Sequence, residues 1–285
     1  MIKKTLPAWL HKKFPKKPFS QKINLILSHY GLSTVCEEAR CPNRPECYEK
    51  KCATFLALGH QCTRSCSFCS ISHNSSPYPP DPKEPLSIAK VVKKLNLLHV
   101  VITMVTRDDL KDGGAFHMAQ IIKSIKKNSP KTSIEVLTSD FSGNLSCLDI
   151  VLEEKPDVFN HNIETTRLLT KKIRDKAQYD QSLFILSHAK KRKKTRFIKS
   201  GLMVGFGEKK EDIYNTIDDL YEVGCDIITI GQYLQSSSSN IPVKKYVSLS
   251  SFKDFSNYAK KKGIKKVFSA PFVRSSYFAA ECLSS

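Results

Sequence analysis

Six apolar runs of strand length, each followed by a stretch of helical periodicity, leave few folds open to this chain. They span residues 53–58, 100–105, 133–138, 157–161, 197–204 and 226–230, and several are dense in Val and Ile, as strands buried on both faces are. Between them, Ala115, Met118, Ile121, Ile122 and Ile125 share one helical face, and Ile213, Tyr214, Ile217, Leu220 and Tyr221 another, with Gly224 placed to end the helix. The alternation predicts an α/β fold with a parallel sheet and right-handed crossovers, either doubly wound or a barrel, complete or not. In both, chemistry belongs at the C-terminal ends of the strands.

A length of 285 residues suits one large domain or two modest ones, and an apolar fraction of 40% excludes an extensively disordered chain. Three zones are expected: a basic, Pro-punctuated lead over 1–50, the alternating region over 51–264, and a tail over 265–285. The 46 Lys and Arg against 27 Asp and Glu leave +19, which argues for an anionic partner. No run approaches the roughly 20 apolar residues of a membrane span. The lead carries Lys3, Lys4, Lys12, Lys13, Lys16 and Lys17 around short apolar patches, with no Arg before Arg40 and no acid before Glu37. This fits neither a secretory leader nor an Arg-rich transit peptide, so a cytoplasmic protein is expected. Residues 190–194 are five consecutive basic positions, read equally as a solvated helix end or a docking patch.

Seven of the ten cysteines fall between Cys36 and Cys69, a crowding that points to a metal or cluster site in a reducing compartment. Just after the first expected strand, Cys62, Cys66 and Cys69 follow C-x3-C-x2-C. Three thiols in one loop suit an iron–sulfur cubane with one iron left open. A structural zinc site wants a fourth ligand, for which His60 or His73 is the alternative. Cys36, Cys41 and Cys47 form a second triplet, C-x4-C-x5-C, while Cys52, Cys147, Cys225 and Cys282 match no ligand pattern.

The first triplet, with Phe68 before its last cysteine, resembles the radical S-adenosylmethionine superfamily. The second triplet, the segments A-T-F-L-A-L-G at 53–59, T-R-D-D-L-K-D-G-G-A at 106–115, P-D-V-F-N-H-N-I-E-T at 156–165, K-S-G-L-M-V-G-F-G-E at 199–208 and G-Q-Y-L-Q at 231–235, and R-S-S-Y at 274–277 together resemble the lipoyl synthase family over nearly the whole chain. Pro45 and Tyr48 depart from the Gly and Trp usual there.

The resemblance implies a radical S-adenosylmethionine partial (β/α)6 barrel, flanked by an N-terminal extension and a C-terminal tail that carry an auxiliary cluster. It implies two 4Fe-4S clusters. Cys62, Cys66 and Cys69 hold the first, which binds S-adenosylmethionine; Cys36, Cys41, Cys47 and a tail serine, Ser276 with Ser275 as the neighbour in contention, hold the auxiliary one. Phe68, Asn162, Glu164, Gly205 and Glu208 are the implied cofactor contacts; Gly201 and Met203 share the pattern of Gly205 and Glu208, and its glycines equally suit strand–helix packing. Arg107 and Asp108 are read equally as site residues or a local ion pair. The implied reaction inserts two sulfur atoms at C6 and C8 of a protein-bound octanoyl-lysine, with sulfur from the auxiliary cluster. The implied partners are octanoylated lipoyl carrier domains (dehydrogenase E2 subunits and the glycine-cleavage H protein), a one-electron reductant and an iron–sulfur carrier that rebuilds the spent cluster. Two rivals carry the same charge: a radical enzyme methylthiolating tRNA, for which no appended RNA-binding module is visible, and a zinc-dependent nucleic-acid-binding protein. The scattered aromatics form no stacking array for bases, so nucleic acid is not expected as partner.

Overall fold

The computed structural model describes residues 6–11, 19–38, 41, 43–49, 52–277 and 279–282, with backbone alone at 19–22, 24 and 282. The lysines singled out in the lead, and Arg40, lie outside the described residues. Seven strands form the main sheet: β1 (Cys52–Ala57), β2 (His99–Met104), β3 (Ser133–Leu137), β4 (Val158–Asn160), β5 (Phe197–Val204), β6 (Ile227–Gln232) and β7 (Lys266–Ser269). All pair in parallel, and their spatial order is their chain order. A doubly wound sheet reverses that order at a switch point, so the doubly wound alternative is excluded. The six expected strands are present, and β7 adds a seventh.

Helices supply the crossovers: α4 (Glu84–Lys94), α5 (Ala115–Asn128), α6 (Leu145–Glu153), α7 (Arg167–Ile173), α8 (Tyr179–Arg192), α9 (Lys210–Glu222) and α10 (Leu249–Lys262). The expected face of α5 is fully buried, since Ala115, Met118, Ile121, Ile122 and Ile125 all pack into the core. On α9, Ile213, Ile217 and Leu220 are buried, whereas Tyr221 is exposed. Gly224, at φ +85°, follows the end of α9 as expected.

Residues of β1, β2, β3, β5 and β6, among them Thr54, Thr103, Leu137, Gly201 and Thr229, line one cavity together with His161 and Asn162 just past β4, so the sheet curls around it. The layer beneath is polar. Lys199 Nζ lies 2.9 and 3.0 Å from the Glu135 oxygens, and Asn160 Nδ2 donates to Glu135 at 2.8 Å. His99 packs beside them, its Nδ1 2.8 Å from Ser133 Oγ.

The extension and the tail close the open side, between the edge strands β1 and β7. Of three helices, α2 (Val35–Glu38) and α3 (Arg44–Glu49) lie against β1, where Leu56 N donates to Ser33 O at 3.1 Å, and α1 (Phe19–His29) packs on α3. Beyond β7 the tail runs against β6, with Gln232 N donating to Pro271 O at 3.1 Å. The segments meet where Asn43 Nδ2 donates to Phe272 O at 2.6 Å and Tyr277 Oη donates to Glu46 Oε2 at 2.9 Å. Tyr48, one of the departures, is buried with its hydroxyl 3.2 Å from that of Thr34.

Candidate active site

The cavity inside the curl measures about 630 Å³ and opens at the C-terminal strand ends. The loop after β1 brings Cys62, Cys66 and Cys69 to its wall. Local hydrogen bonds shape that loop: Cys69 N donates to Cys66 O at 3.0 Å, and the backbone N–H groups of Arg64 and Ile71 point at the sulfurs of Cys62 and Cys69. Long-range bonds then pin it. Ser65 N donates to Asp175 at 2.9 Å, and Asn240 Nδ2 donates to Cys69 O at 2.8 Å.

Arg64 is the strongest of these pins. It bonds Asp108 at 2.9 and 2.8 Å and Asp140 at 3.0 and 2.8 Å, tying the cysteine loop to the loops after β2 and β3. Burial alone would raise the Asp140 carboxyl; hydrogen bonds and charge from Arg64 outweigh it and hold the group at about 2. Arg107 pairs with Asp109 at 2.7 Å, so the Arg107–Asp108 segment is spent on ion pairs.

The second triplet reaches the same cavity from the other side. Cys36 and Cys41 line it, while Cys47 borders a small crevice shared with Cys52, Tyr277 and Ala279. The Cys36 thiol is pushed up by burial and then by the nearby Cys41 and Cys47. Burial likewise raises Cys66, and Cys69 to about 12. The nine cysteines with described side chains are all free thiols. Among the described residues, no three His, Cys, Asp or Glu side chains converge closely enough to hold a single metal ion. Two triplets of free thiols, with Cys36, Cys41, Cys62, Cys66 and Cys69 on one cavity, are a donor set that fits cubanes, which take thiolates on separate irons. Cys52, Cys147 and Cys225 are buried apart from this pattern.

Phe68, Asn162 and Glu164 stand on the cavity wall; Gly205 and Glu208 do not. Glu208 accepts from the backbone N–H groups of Gly205 and Phe206 at 2.6 and 2.9 Å, holding the loop after β5. Glu164 sits at φ +64°, a strained setting for a non-glycine residue, and burial raises its carboxyl. Phe68 packs with Phe206 and Tyr233, whose rings stack at 4.4 Å. Ser275 and Ser276 both reach the wall.

Sequence reasoning passes over Arg64, Asp140, Arg174, Tyr233 and Arg274, which also line the cavity. Arg64 carries a signal in its place between Cys62 and Cys66; Arg174 carries none. Arg174 is 7% exposed and donates to Ser182 Oγ at 2.9 Å, yet forms no ion pair among the described residues. The basic run at 190–194, read equally as a helix end or a docking patch, is largely neutralised: Lys190 pairs with Asp226, Arg192 with Asp149 and Glu153, and Lys194 with Glu153.

Residues 56–220 match the family model described as the Radical SAM superfamily. The lipoyl synthase of Protochlamydia amoebophila is 48% identical over 275 residues, 96% of this chain and 85% of that protein. That of Alkaliphilus metalliredigens is 47% identical over 280 residues, 98% and 96% of the two chains. Among solved structures, the FeFe-hydrogenase maturase HydG from Carboxydothermus hydrogenoformans aligns with a TM-score of 0.60 at 14% identity, covering 93% of this chain and 77% of that one, a likeness of fold alone. By sequence identity and superfamily match alike, the chain belongs to the lipoyl synthase family of radical S-adenosylmethionine enzymes.

Proposed function

We propose that this enzyme converts a protein-bound octanoyl-lysine to the lipoyl cofactor by inserting sulfur at C6 and C8. The observation that carries the reading is the opening of Cys36 and Cys41 of one triplet, and Cys62, Cys66 and Cys69 of the other, on a single cavity. When bound, a 4Fe-4S cluster with S-adenosylmethionine supplies a carbon-centred radical, and a second 4Fe-4S cluster supplies sulfur.

The chain's own residues hold and orient. Cys62, Cys66 and Cys69 are the ligands of the radical-generating cluster, with Arg64 and its two aspartates fixing their loop. Cys36, Cys41, Cys47 and Ser276 are the ligands of the auxiliary cluster. Ser276 is favoured over Ser275 because the Ser275 hydroxyl accepts from Asn162 at 2.7 Å, whereas that of Ser276 has no hydrogen bond among the described residues. Arg174 offers its guanidinium to the carboxylate at the amino-acid end of S-adenosylmethionine, since a buried cation requires an anion. Phe68 and Tyr233 give this end an apolar wall that keeps water out. The methylene hydrogens at C6 and C8 have no useful acidity, so no cavity residue is assigned as general base; positioning is the protein's contribution.

The charge of +19, with exposed Lys171, Lys172, Lys176 and Lys209 beyond β4 and β5, supports docking of acidic carrier domains such as dehydrogenase E2 subunits and the glycine-cleavage H protein. The chemistry also calls for a one-electron reductant and an iron–sulfur carrier. Among the described residues no helix is long and apolar enough to cross a membrane, which accords with the cytoplasm as the proposed location. Oxygen-free reconstitution should load about eight irons per chain, and an octanoylated carrier peptide should then gain two sulfurs. Loading of one cubane or fewer would sink the reading.

A further inference from the structure

The tail meets the barrel wall where only a glycine leaves room. A Cβ on Gly201 would fall 2.4 Å from Thr229 Oγ1, 3.0 Å from Asn162 Oδ1 and 3.1 Å from Ser275 Oγ. Into that space Asn162 Nδ2 donates to Ser275 Oγ at 2.7 Å and to Glu164 Oε1 at 2.9 Å. A carboxamide has two N–H donors, so both are spent inside the protein. Only Oδ1, buried and without a partner, remains to accept from a ligand. Asn162 thus faces the tail as much as the cofactor.

The next two tail residues complete the pattern. Tyr277 N donates to Arg274 O at 2.9 Å, closing a tight turn around Ser275 and Ser276, and the Tyr277 hydroxyl is tied to Glu46, the neighbour of Cys47. Ser276 is therefore bracketed. On one side Ser275 is fastened to the barrel wall, and on the other Tyr277 is fastened to the helix bearing an auxiliary cysteine. A turn held at both shoulders has its middle hydroxyl aimed.

We infer that Asn162 and Ser275 are positioning residues that seat the Ser276 hydroxyl on the auxiliary cluster, an inference that rests on the reading of Ser276 as its ligand. Through its second hydrogen bond, Asn162 links that seat to Glu164 on the cofactor side.

Iron release to a chelator, from full-length protein loaded with both clusters under oxygen-free conditions, tests this. The auxiliary phase is the one missing from Cys36→Ala. Removing a group that orients a metal ligand weakens metal retention by roughly 10- to 100-fold. Ser275→Ala and Asn162→Ala should speed the auxiliary phase by about that factor and leave the other phase unchanged, and Ser275→Thr, which keeps the hydroxyl, should restore the wild-type rate. If Ser276→Ala speeds that phase while Ser275→Ala and Asn162→Ala do not, the positioning role is wrong and the ligand reading stands. Equal acceleration of both phases would mean general loosening and also overturns it. If Ser276→Ala changes nothing, the ligand reading fails and takes this inference with it.

Discussion

Gly205 holds φ at +114°, and a Cβ there would meet Gln232 Nε2 at 2.2 Å and the Lys245 carbonyl at 2.7 Å. Gly59, at φ +87°, has nothing within 4 Å. Gly59→Ala therefore pays only backbone strain, about 1 kcal/mol, while Gly205→Ala adds a backbone collision and should cost about 3 kcal/mol. Thermal denaturation should show Gly205→Ala melting several degrees below Gly59→Ala; equal melting would mean the loop after β5 relaxes freely. At Arg174 the expected loss is in binding. Arg174→Gln should weaken S-adenosylmethionine by roughly 10- to 100-fold, the worth of one or more charged hydrogen bonds, at unchanged iron content. It should also bind a decarboxylated analogue no worse than wild type does. Retained affinity for S-adenosylmethionine would remove Arg174 from the site. The cysteines announce themselves by spacing, but Arg174 and Asp140 become site residues only when α7 and the loop after β3 fold over the mouth, which no local pattern encodes.

At the scale of elements, the polar layer under the cavity makes the clearest prediction. Burial lowers His99 to about 3, with the charge of Lys199 adding to the effect. Glu135, 4.0 Å from His99 Nε2, is already paired with Lys199. In the unfolded chain the imidazole takes its proton near 6.5, and in the folded chain only near 3. Between those limits unfolding takes up a proton, so stability falls as pH drops, by about 1.4 kcal/mol per pH unit, and nothing is lost above 6.5. His161, lowered to about 4 by burial first, acts in the same direction. Urea midpoints measured from about pH 4 to about pH 6 should show a slope for His99→Gln smaller by about one proton; identical slopes would mean that His99 is charged in the fold. Breaking the pair with Lys199→Met should cost about 3 to 5 kcal/mol, and adding Glu135→Leu should recover most of it. Periodicity revealed the first six strands because their runs are apolar, even with Lys199 and Glu135 inside two of them. It passed over β7, whose four residues are only half-buried and include just two apolar side chains, Val267 and Phe268. That strand forms because β6 offers it a paired edge, a tertiary cause with no local trace.

At the scale of the molecule, a parallel sheet that curls without closing leaves two edges and a gap, and unpaired edges must be covered. Here the ends of the chain do the covering. The extension lies on β1, the tail leaves β7, and the two are stitched by Asn43 to Phe272 and by Tyr277 to Glu46. The tail then continues to Ala279, which packs against Cys52 and Val101. Cys36, Cys41 and Cys47 sit on this closure, while Cys62, Cys66 and Cys69 sit on the loop after β1. The proposed ligand sets therefore rest on different parts of the fold, one on the covering segments and one on the loop after β1. Local opening is governed by how few contacts hold a segment, so losing one stitch should loosen both covering segments together. Tyr277→Phe keeps the ring and removes the hydrogen bond. By hydrogen exchange, residues 43–49 and 270–277 should lose protection in parallel, by about fivefold for a bond worth about 1 kcal/mol, while β2 to β5 stay as they were. Loss confined to the tail would show that the extension is held by β1 alone, and that the two ends are separate covers. Parallel loss makes them a single cover, one that loosens over Cys36, Cys41 and Cys47 while the strands behind Cys62, Cys66 and Cys69 stay built.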